Sequence, residues 1–225
     1  MLHAITPSNR HDKKDLLDAM FHMRDDVVRN HWGWRVPETK PGDDRDRFDR
    51  EDTIYFVRTR GDLVLGCGRL NSTTRPHLLS DVFPHCIEPG KLVQDERAFE
   101  FSRYVIDKKR KDFRLTMGWI ELAINEAGLM AGVTRVSWLS YMHMLAHAKS
   151  AWSTVSLGLP TYFPDDDETY VAAVSKLDER GRDNLLTMYR FNEAKHDAIK
   201  QVAAEVVPDL QAIIAETSAP AREAA

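Results

Sequence analysis

The sequence predicts one α/β domain built on a mixed, twisted β-sheet that is flanked by helices. Segments rich in β-branched and aromatic residues alternate with amphipathic helical segments along the chain. The 225 residues are enough for one sizeable hydrophobic core, and no repeat or long linker divides them. We therefore expect residues 1–225 to form a single domain, in which about 20 alanine- and glutamate-rich residues at the C-terminus fray.

The N-terminal half is expected to contain three strands and one helix. "MLHAIT" is typical of a short strand, and residues 12–30 carry apolar residues at a helical period. Two prolines, a glycine and many charges predict a loop over residues 37–52. "TIYFVRT" and "LVLGCGRL" follow as strands, joined by a hairpin turn at residues 60–62.

The C-terminal half continues the alternation after an irregular stretch at residues 71–98. "FEFSRYVID" (99–107) predicts a strand, and "DFRLTMGWIELAINEAGLMAG" predicts an amphipathic helix that ends near glycine. "VTRVSWLS" is strand-like and "YMHMLAHAKSAW" indicates a short helix. "STVSLGLP" and "ETYVAAVSKL" indicate two more strands, and the chain is expected to be helical from about residue 179.

Composition argues against several classes of protein. A formal net charge of −4 and a pI near 6.1 argue against a dedicated nucleic-acid binder. No apolar run approaches the ~20 residues that span a bilayer, and the N-terminus lacks the pattern of a signal peptide. Cys67 and Cys86 have no metal-like spacing and suit a reducing cytosol. We expect a soluble cytoplasmic protein without nucleic-acid or membrane partners; the oligomeric state is not predicted.

Charged side chains at positions that should be apolar are the first functional signal. Glu100, Ser102 and Arg103 lie in the middle of a strand, where buried charges are rare unless they are paired. Glu100 and Arg103 point to opposite faces of a regular strand, but a β-bulge between them would bring them together beside a site. Arg24 lies on the apolar stripe of the first helix and needs acidic partners if it is buried. The alternatives are a surface ion pair and an arginine that extends to water.

The loop after the first helix is rich in charge. Residues 38–52 hold seven acidic residues against four basic ones, which fits either a solvated loop or a carboxylate wall for a cationic ligand. The spacing does not match a calcium-binding loop. In "HWGWRVP", Trp34 either caps the core or lies over a flat ring or a cation.

"DKKRKDFR" is a basic stretch between a strand and a helix. Helix N-termini favour anions, so this junction suits a phosphate group or an acidic partner, although a solvated loop is also compatible. Its cations are Lys108, Lys109, Arg110, Lys111 and Arg114. His143 and His147 lack the adjacent glutamate or third ligand of a zinc site, and we expect no bound metal.

Several motifs occur in an order that matches a known family. "MRDDVVRNHWGW", "DRDRFD", "GCGRL", "TTRP", "VFPH" and "FEFSRYVID" resemble the acyl-homoserine lactone synthases of the LuxI autoinducer family, over roughly residues 1–140. The resemblance implies a fold similar to that of the GNAT acyltransferases, with a splayed mixed sheet. It also implies a quorum-sensing reaction in which the amine of S-adenosylmethionine attacks an acyl thioester. The carboxylate of S-adenosylmethionine then displaces methylthioadenosine to close the lactone.

The resemblance also implies roles for particular residues. The S-adenosylmethionine side of the site would comprise Arg24, Val28, Trp34, Asp46, Asp49, Arg69, Phe83 and Arg103. Val28 stands where the family usually has phenylalanine, so part of this pocket must be shaped otherwise. Glu100 matches the general base, acting through water, and lies in a reaction strand with Ser102 and Arg103. The chemistry agrees, because carboxylates suit the sulfonium and ammonium groups, and a protonated amine is unreactive without a base.

The acyl group is expected to contact a set of apolar and small residues, which can equally be plain core. The set is Phe101, Ser137, Trp138 and Met142, with Trp119 and Met144 as further candidates. Ser137 lies near a position where many members that make 3-oxo products have threonine. The donor is an acyl carrier protein or coenzyme A, which would meet the basic stretch. No tightly bound cofactor is expected beyond the two substrates.

Two other functions compete with this interpretation. The first is a GNAT-type N-acyltransferase that uses acetyl coenzyme A and another amine, but no glycine-rich phosphate loop is evident in "DKKRKDFR". The second is a non-catalytic sensor that retains the S-adenosylmethionine pocket. The presence of both Glu100 and Arg103 disfavours a sensor, which needs no base.

Overall fold

The computed structural model describes residues 1–33, 39–107, 109 and 111–218. Within these residues, eight strands form one mixed sheet in the order β1-β2-β3-β4-β5-β8-β6, and β7 also pairs with β8. The strands are β1 (Leu2–Ile5), β2 (Ile54–Arg60), β3 (Leu63–Ser72), β4 (Ala98–Ile106), β5 (Arg135–Tyr141), β6 (Thr154–Ser156), β7 (Thr161–Phe163) and β8 (Glu168–Lys176). The prediction of a mixed sheet is confirmed, and only the three-residue β7 has no counterpart among the predicted strands.

Six α-helices cover the sheet within the described ranges. They are α1 (Lys14–Asp25), α2 (Leu78–Asp81), α3 (Phe113–Ala131), α4 (Met144–Ala151), α5 (Glu179–Tyr189) and α6 (Glu193–Ser218). A π-helical turn over Asp26–His31 extends α1, and a 3₁₀ turn over Pro84–Cys86 follows α2. Helix α3 ends at Gly132, whose φ of 81° is the left-handed conformation that glycine adopts without strain. Helix α6 continues to Ser218, so the chain stays regular further than its composition suggests.

The two faces of the sheet are buried by different helices. Phe56 of β2 faces the main core with α3 and α6, whereas Tyr55 and Val57 face a second core with α1. This alternation follows from the period of two in a strand. None of the helices in the described part of the chain has the length and apolar character needed to span a bilayer.

The sheet splits between β4 and β5, and this split determines where a ligand can enter. The two strands are parallel and pair over only three residues each, from Ala98 with Arg135 to Glu100 with Ser137. Beyond that point β4 continues beside β3, and β5 continues beside β8. The splayed sheet that the family resemblance implies is therefore present.

A β-bulge interrupts β4 just after the split. Ser102 pairs with Arg69 and Val105 with Cys67, so β4 has one more residue than β3 between these pairs. Arg103, within the bulge, has a φ of 48°, which is unusual for a residue with a side chain. A bulge is thus present, as convergence of Glu100 and Arg103 requires, but it lies at Arg103 and Tyr104 and not between Glu100 and Arg103.

Candidate active site

A cavity of about 480 Å³ opens where β4 and β5 diverge. Residues 100–106 of β4 form one wall and residues 138–141 of β5 form the other. Side chains of α3, α4 and the segment around α2 close the sides. Because β4 and β5 stop pairing at the split, the N–H and C=O groups on their facing edges form no hydrogen bonds to each other beyond this point.

Three arginines and three aspartates form a buried ionic cluster beside the cavity. Its members are Arg24 of α1, Arg69 of β3, Arg103 of β4, and Asp44, Asp46 and Asp49 of the loop before β2. The six formal charges cancel, which offsets much of the cost of removing them from water.

Arg24 is fully buried and is bound by two of the aspartates. Its Nε donates to Asp44 Oδ2 at 2.8 Å, and its Nη1 and Nη2 donate to the two oxygens of Asp49 at 3.0 and 3.2 Å. Nη2 also donates to the backbone oxygen of Asp44 at 2.8 Å. The arginine on the apolar stripe of the first helix is therefore a buried, paired guanidinium that does not extend to water.

Asp46 joins the two strand arginines. Arg69 Nη1 donates to its Oδ1 and Arg103 Nη2 donates to its Oδ2, both at 2.7 Å. Arg69 Nε also donates to the hydroxyl of Ser102 at 3.0 Å. Ser102 and Arg103 are adjacent in sequence, and both face the ionic cluster because the bulge removes the normal alternation.

The ionic cluster favours the charged forms of Arg24 and Asp49. Burial by itself would raise the pKa of Asp49, but the charges of Arg24 and Arg69 outweigh it and hold the pKa well below its usual value. Burial likewise opposes the charge on Arg24, yet Asp49 and Asp44 raise its pKa. Burial raises the pKa of the neighbouring Cys67 thiol to about 12, so this cysteine is a neutral core residue.

Within the ionic cluster, Asp46 and Arg103 line the cavity, and the other members lie behind them. Of Asp46 and Asp49, which the family resemblance assigns to the S-adenosylmethionine side, only Asp46 lines the cavity. Asp49 lies behind it, bound by Arg24, Arg69 and the hydroxyl of Tyr55. Asp44 was not singled out from the sequence. Its only signal was its position in the acidic loop, two residues before Asp46.

Glu100 lies at the floor of the cavity, at the point where the strands split. Its side chain is almost fully buried, and its oxygens accept hydrogen bonds from the backbone N–H groups of Leu78 (3.2 Å) and Leu79 (2.8 Å). These donors belong to the first turn of α2, which His77 caps through Ser80. A carboxylate held in this way keeps lone pairs for a further donor, such as a water molecule or an amine.

Other residues assigned to the S-adenosylmethionine side are distributed around this centre. Trp34 lies outside the described residues, whereas Trp32 from the same motif lines the cavity. Phe83 also lines the cavity, with its ring centre 5.8 Å from that of Phe163. Val28 is fully buried in the core under α1 and does not reach the cavity.

The structure divides the residues assigned to the acyl group. Phe101, Trp138 and Met144 line the cavity. Ser137 is buried at the split, behind the wall, and Met142 is 41% exposed at the surface. Trp119 is also absent from the wall, because it packs against Arg58 and Phe191.

The basic stretch lies at the N-terminus of α3. Lys109, Lys111 and Arg114 are exposed there, and Lys108 and Arg110 lie outside the described residues. Cationic side chains are thus present at a helix start, near Phe113, which lines the cavity.

Glu121 of α3 is a buried carboxylate in the cavity wall that sequence reasoning missed. It is bound by His147, which the sequence offered only as half of a zinc pair. The sequence gives little indication that Glu121 is a site residue, since a single glutamate in an amphipathic helix normally faces solvent. No group of three or more His, Cys, Asp or Glu side chains within the described ranges is arranged to hold a metal ion.

A sequence profile described as autoinducer synthase matches residues 8–138, which include every member of the ionic cluster and Glu100. The chain belongs to the autoinducer synthase family. It is 32% identical, over 166 residues, to the isovaleryl-homoserine lactone synthase of Bradyrhizobium diazoefficiens, a match that covers 71% of this chain and 73% of that enzyme. It is 39% identical, over 88 residues, to an acyl-homoserine-lactone synthase of Ralstonia solanacearum, covering 38% of this chain and 43% of the relative.

Solved structures agree with this membership. BjaI, a coenzyme A-dependent acyl-homoserine lactone synthase, superposes with a TM-score of 0.75 at 28% identity, covering 89% of this chain and 99% of BjaI. BjaI has been solved with methylthioadenosine, and also with S-adenosylmethionine and isopentyl-CoA. An acyl-CoA N-acyltransferase from Pseudomonas aeruginosa shares the fold alone, with a TM-score of 0.56 at 15% identity. The predicted family and its GNAT-like fold are confirmed.

Proposed function

We propose that the protein is an acyl-homoserine lactone synthase that joins an acyl thioester to S-adenosylmethionine and makes a quorum-sensing autoinducer. The observation that carries the proposal is the cavity at the strand split, which has Glu100 at its floor and Asp46 and Arg103 in its wall. One cavity thus offers a carboxylate (Asp46), a guanidinium (Arg103) and a proton acceptor (Glu100). The substrate, S-adenosylmethionine, carries a sulfonium, an ammonium and a carboxylate that match them.

In the proposed complex, two charged residues of the cavity wall bind groups of opposite charge on S-adenosylmethionine. Asp46 binds a cationic group of the substrate, and the Arg103 guanidinium binds its carboxylate. Arg24, Asp44, Asp49 and Arg69 hold these two side chains in place from behind. Preorganisation of this kind reduces the cost of ordering the site when the substrate binds.

Acyl transfer then requires a neutral amine. Glu100, through a water molecule, accepts a proton from the substrate ammonium, and the free amine attacks the thioester carbon. Backbone N–H groups on the unpaired edges of β4 and β5 are suited to stabilise the oxyanion of the tetrahedral intermediate. The intermediate expels the thiolate, which leaves as a thiol after taking up a proton, and an amide bond forms.

Lactone closure uses atoms that are already present in the acylated substrate. A carboxylate oxygen attacks the γ-carbon that carries the sulfonium, the carbon–sulfur bond breaks, and methylthioadenosine leaves as a neutral thioether. The sulfonium takes the bonding pair, so no oxidant, metal or further cofactor is required. The protein's part in this step is to hold the carboxylate in line with the breaking bond.

We further propose that the acyl donor is a coenzyme A thioester used in the cytoplasm, where both substrates are made. The similarity to BjaI supports this choice, and so do the exposed cations at the start of α3, which suit the phosphates of coenzyme A. An acyl carrier protein is the other candidate, because its acidic surface would suit the same cations.

The test incubates purified protein with S-adenosylmethionine and a panel of acyl coenzyme A and acyl carrier protein thioesters. The proposal requires equimolar methylthioadenosine and acyl-homoserine lactone, identified by mass spectrometry. Acyl transfer without release of methylthioadenosine would instead indicate an N-acyltransferase. Binding of S-adenosylmethionine without any turnover would indicate a sensor.

A further inference from the structure

A second polar cluster lies in the otherwise apolar part of the cavity wall, away from the ionic cluster. Its hub is Glu121 of α3, whose side chain is only 2% exposed. Glu121 Oε1 accepts from the hydroxyl of Tyr104 at 3.0 Å and from His147 Nε2 at 2.9 Å, and Oε2 accepts from the hydroxyl of Tyr189 at 2.8 Å. We call these four side chains the Glu121 cluster.

The Glu121 cluster is assembled from four elements, namely β4, α3, α4 and α5. A buried carboxylate is costly unless it is well bonded, and here three side chains donate to it. Burial, followed by the charge of Glu121, raises the pKa of both Tyr104 and Tyr189, so these hydroxyls stay protonated and act as donors. The Glu121 cluster thus joins α3 to β4, α4 and α5, and it also places polar groups in this part of the cavity wall.

Three members of the Glu121 cluster line the cavity: Glu121, Tyr104 and His147. Their neighbours on the wall include Phe101, Met117 and Trp138, which are apolar surfaces suited to an acyl group. The fourth member, Tyr189, does not line the cavity. It packs against Phe191 on the far side of Glu121.

His147 has hydrogen-bonding capacity left over. Its Nε2 is used by Glu121, whereas its Nδ1 has no hydrogen-bond partner among the side chains and backbone groups that the structure describes. The side chain is 23% exposed and lines the cavity, so a hydrocarbon that covered this nitrogen would remove its water without replacing the hydrogen bond. A ligand atom that hydrogen-bonds would avoid that cost.

We infer that the acyl group used by this synthase carries an oxygen function, such as a hydroxyl, on its distal part, where it binds His147 beside Glu121. The inference rests on the proposed function, since it concerns the acyl donor of that reaction. Tyr104 lies four residues beyond Glu100, which is up to roughly 13 Å along β4. Phe101 and Trp138 line the same cavity, so an acyl group that extends along this apolar wall from a carbonyl near Glu100 would bring its far end to the Glu121 cluster.

The test compares coenzyme A thioesters that differ by one hydroxyl group. One pair is 4-hydroxyphenylpropanoyl and phenylpropanoyl coenzyme A, and the other is 8-hydroxyoctanoyl and octanoyl coenzyme A. We expect kcat/KM for methylthioadenosine release to be about 10–100-fold higher for the hydroxylated member of at least one pair. Equal or better use of the plain member in both pairs would overturn the inference.

Variants then attribute the preference to the Glu121 cluster. The double variant Glu121→Met/His147→Met replaces both partners with side chains of similar size, and we expect it to lose the preference for the hydroxylated donor. Tyr189→Phe is the matched control, because it removes one hydrogen bond to Glu121 without altering the cavity wall, and it should keep the preference. If the double variant does not fold, His147→Leu alone replaces it. A preference that survives in a folded variant lacking His147 would contradict the assignment.

The two proposals fail in distinguishable ways. If no thioester of the whole panel releases methylthioadenosine, the proposed reaction is wrong, and calorimetric binding of the two pairs still measures whether the hydroxyl is preferred. If both members react equally and bind equally, the reaction stands and the inference about the acyl group is wrong.

Discussion

Replacing Arg24 with methionine tests whether the ionic cluster is a structural unit. Methionine fills most of the same space but leaves the carboxylates of Asp44 and Asp49 buried without their main cation. Removing one partner of a buried ion pair typically costs about 3–5 kcal/mol, because the remaining charge is uncompensated. For a domain of this size, that loss lowers the melting temperature by about 6–20 °C.

The measurement is urea unfolding of the wild type and Arg24→Met, with circular dichroism and tryptophan fluorescence as the two probes of unfolding. A double variant, Arg24→Met/Asp49→Asn, restores the balance of charge and should recover part of the lost stability. Lys14→Met is the matched control, because Lys14 lies on the same helix and forms an exposed ion pair with Asp18. Its unfolding midpoint should equal that of the wild type.

The reasoning is refuted if Arg24→Met loses less than about 1 kcal/mol, the value typical of a surface pair. It is also refuted if Asp49→Asn lowers the free energy of unfolding of Arg24→Met by as much as it lowers that of the wild type. Either result would mean that the six side chains are not energetically coupled, although they are in contact.

Three further predictions follow from the site. Glu100→Gln should lower kcat by about 10²–10⁴-fold while the affinity for S-adenosylmethionine is nearly kept, and an unimpaired rate would remove Glu100 from the mechanism. Lys109→Glu/Lys111→Glu should raise KM for the thioester donor most at low salt, and an effect equal at all salt concentrations would argue against an electrostatic role. Because the folded-state pKa of Asp49 is held below its unfolded value, the stability it contributes is present above about pH 4 and is lost as the pH falls further. The unfolding midpoints of the wild type and Asp49→Asn should therefore differ by a constant amount from pH 7 to about pH 4 and begin to approach each other between pH 4 and pH 3, and parallel curves over the whole range would contradict this.

Much of the fold was predictable because each element depends on local pattern. The apolar stripe of α1, the hairpin of β2 and β3, and the glycine that ends α3 are all signals within a few residues. The short β7 was missed because three residues between turns carry too little pattern. The family resemblance implied a splayed sheet but not that β4 and β5 separate, since where two distant strands stop pairing is a tertiary property.

The site was only partly predictable, for a related reason. Oddly placed charges such as Arg24 and Arg103 were visible in the sequence because they interrupt apolar patterns. Which carboxylate faces the cavity was not visible: Asp44, Asp46 and Asp49 lie in one loop of irregular backbone, where no periodicity assigns a direction. Glu121 was missed because its donors come from three other elements, and sequence alone does not show that they converge.

Calorimetric titration of S-adenosylmethionine into the wild type and a folded Asp46→Asn variant tests the central claim most directly. If Asp46 and Arg103 form the binding wall, the wild type binds S-adenosylmethionine and the variant binds it about 10–100-fold more weakly, since a charge-assisted hydrogen bond is lost. Equal affinities in the two proteins, or no binding by the wild type, would show that the substrate is not held at this cavity.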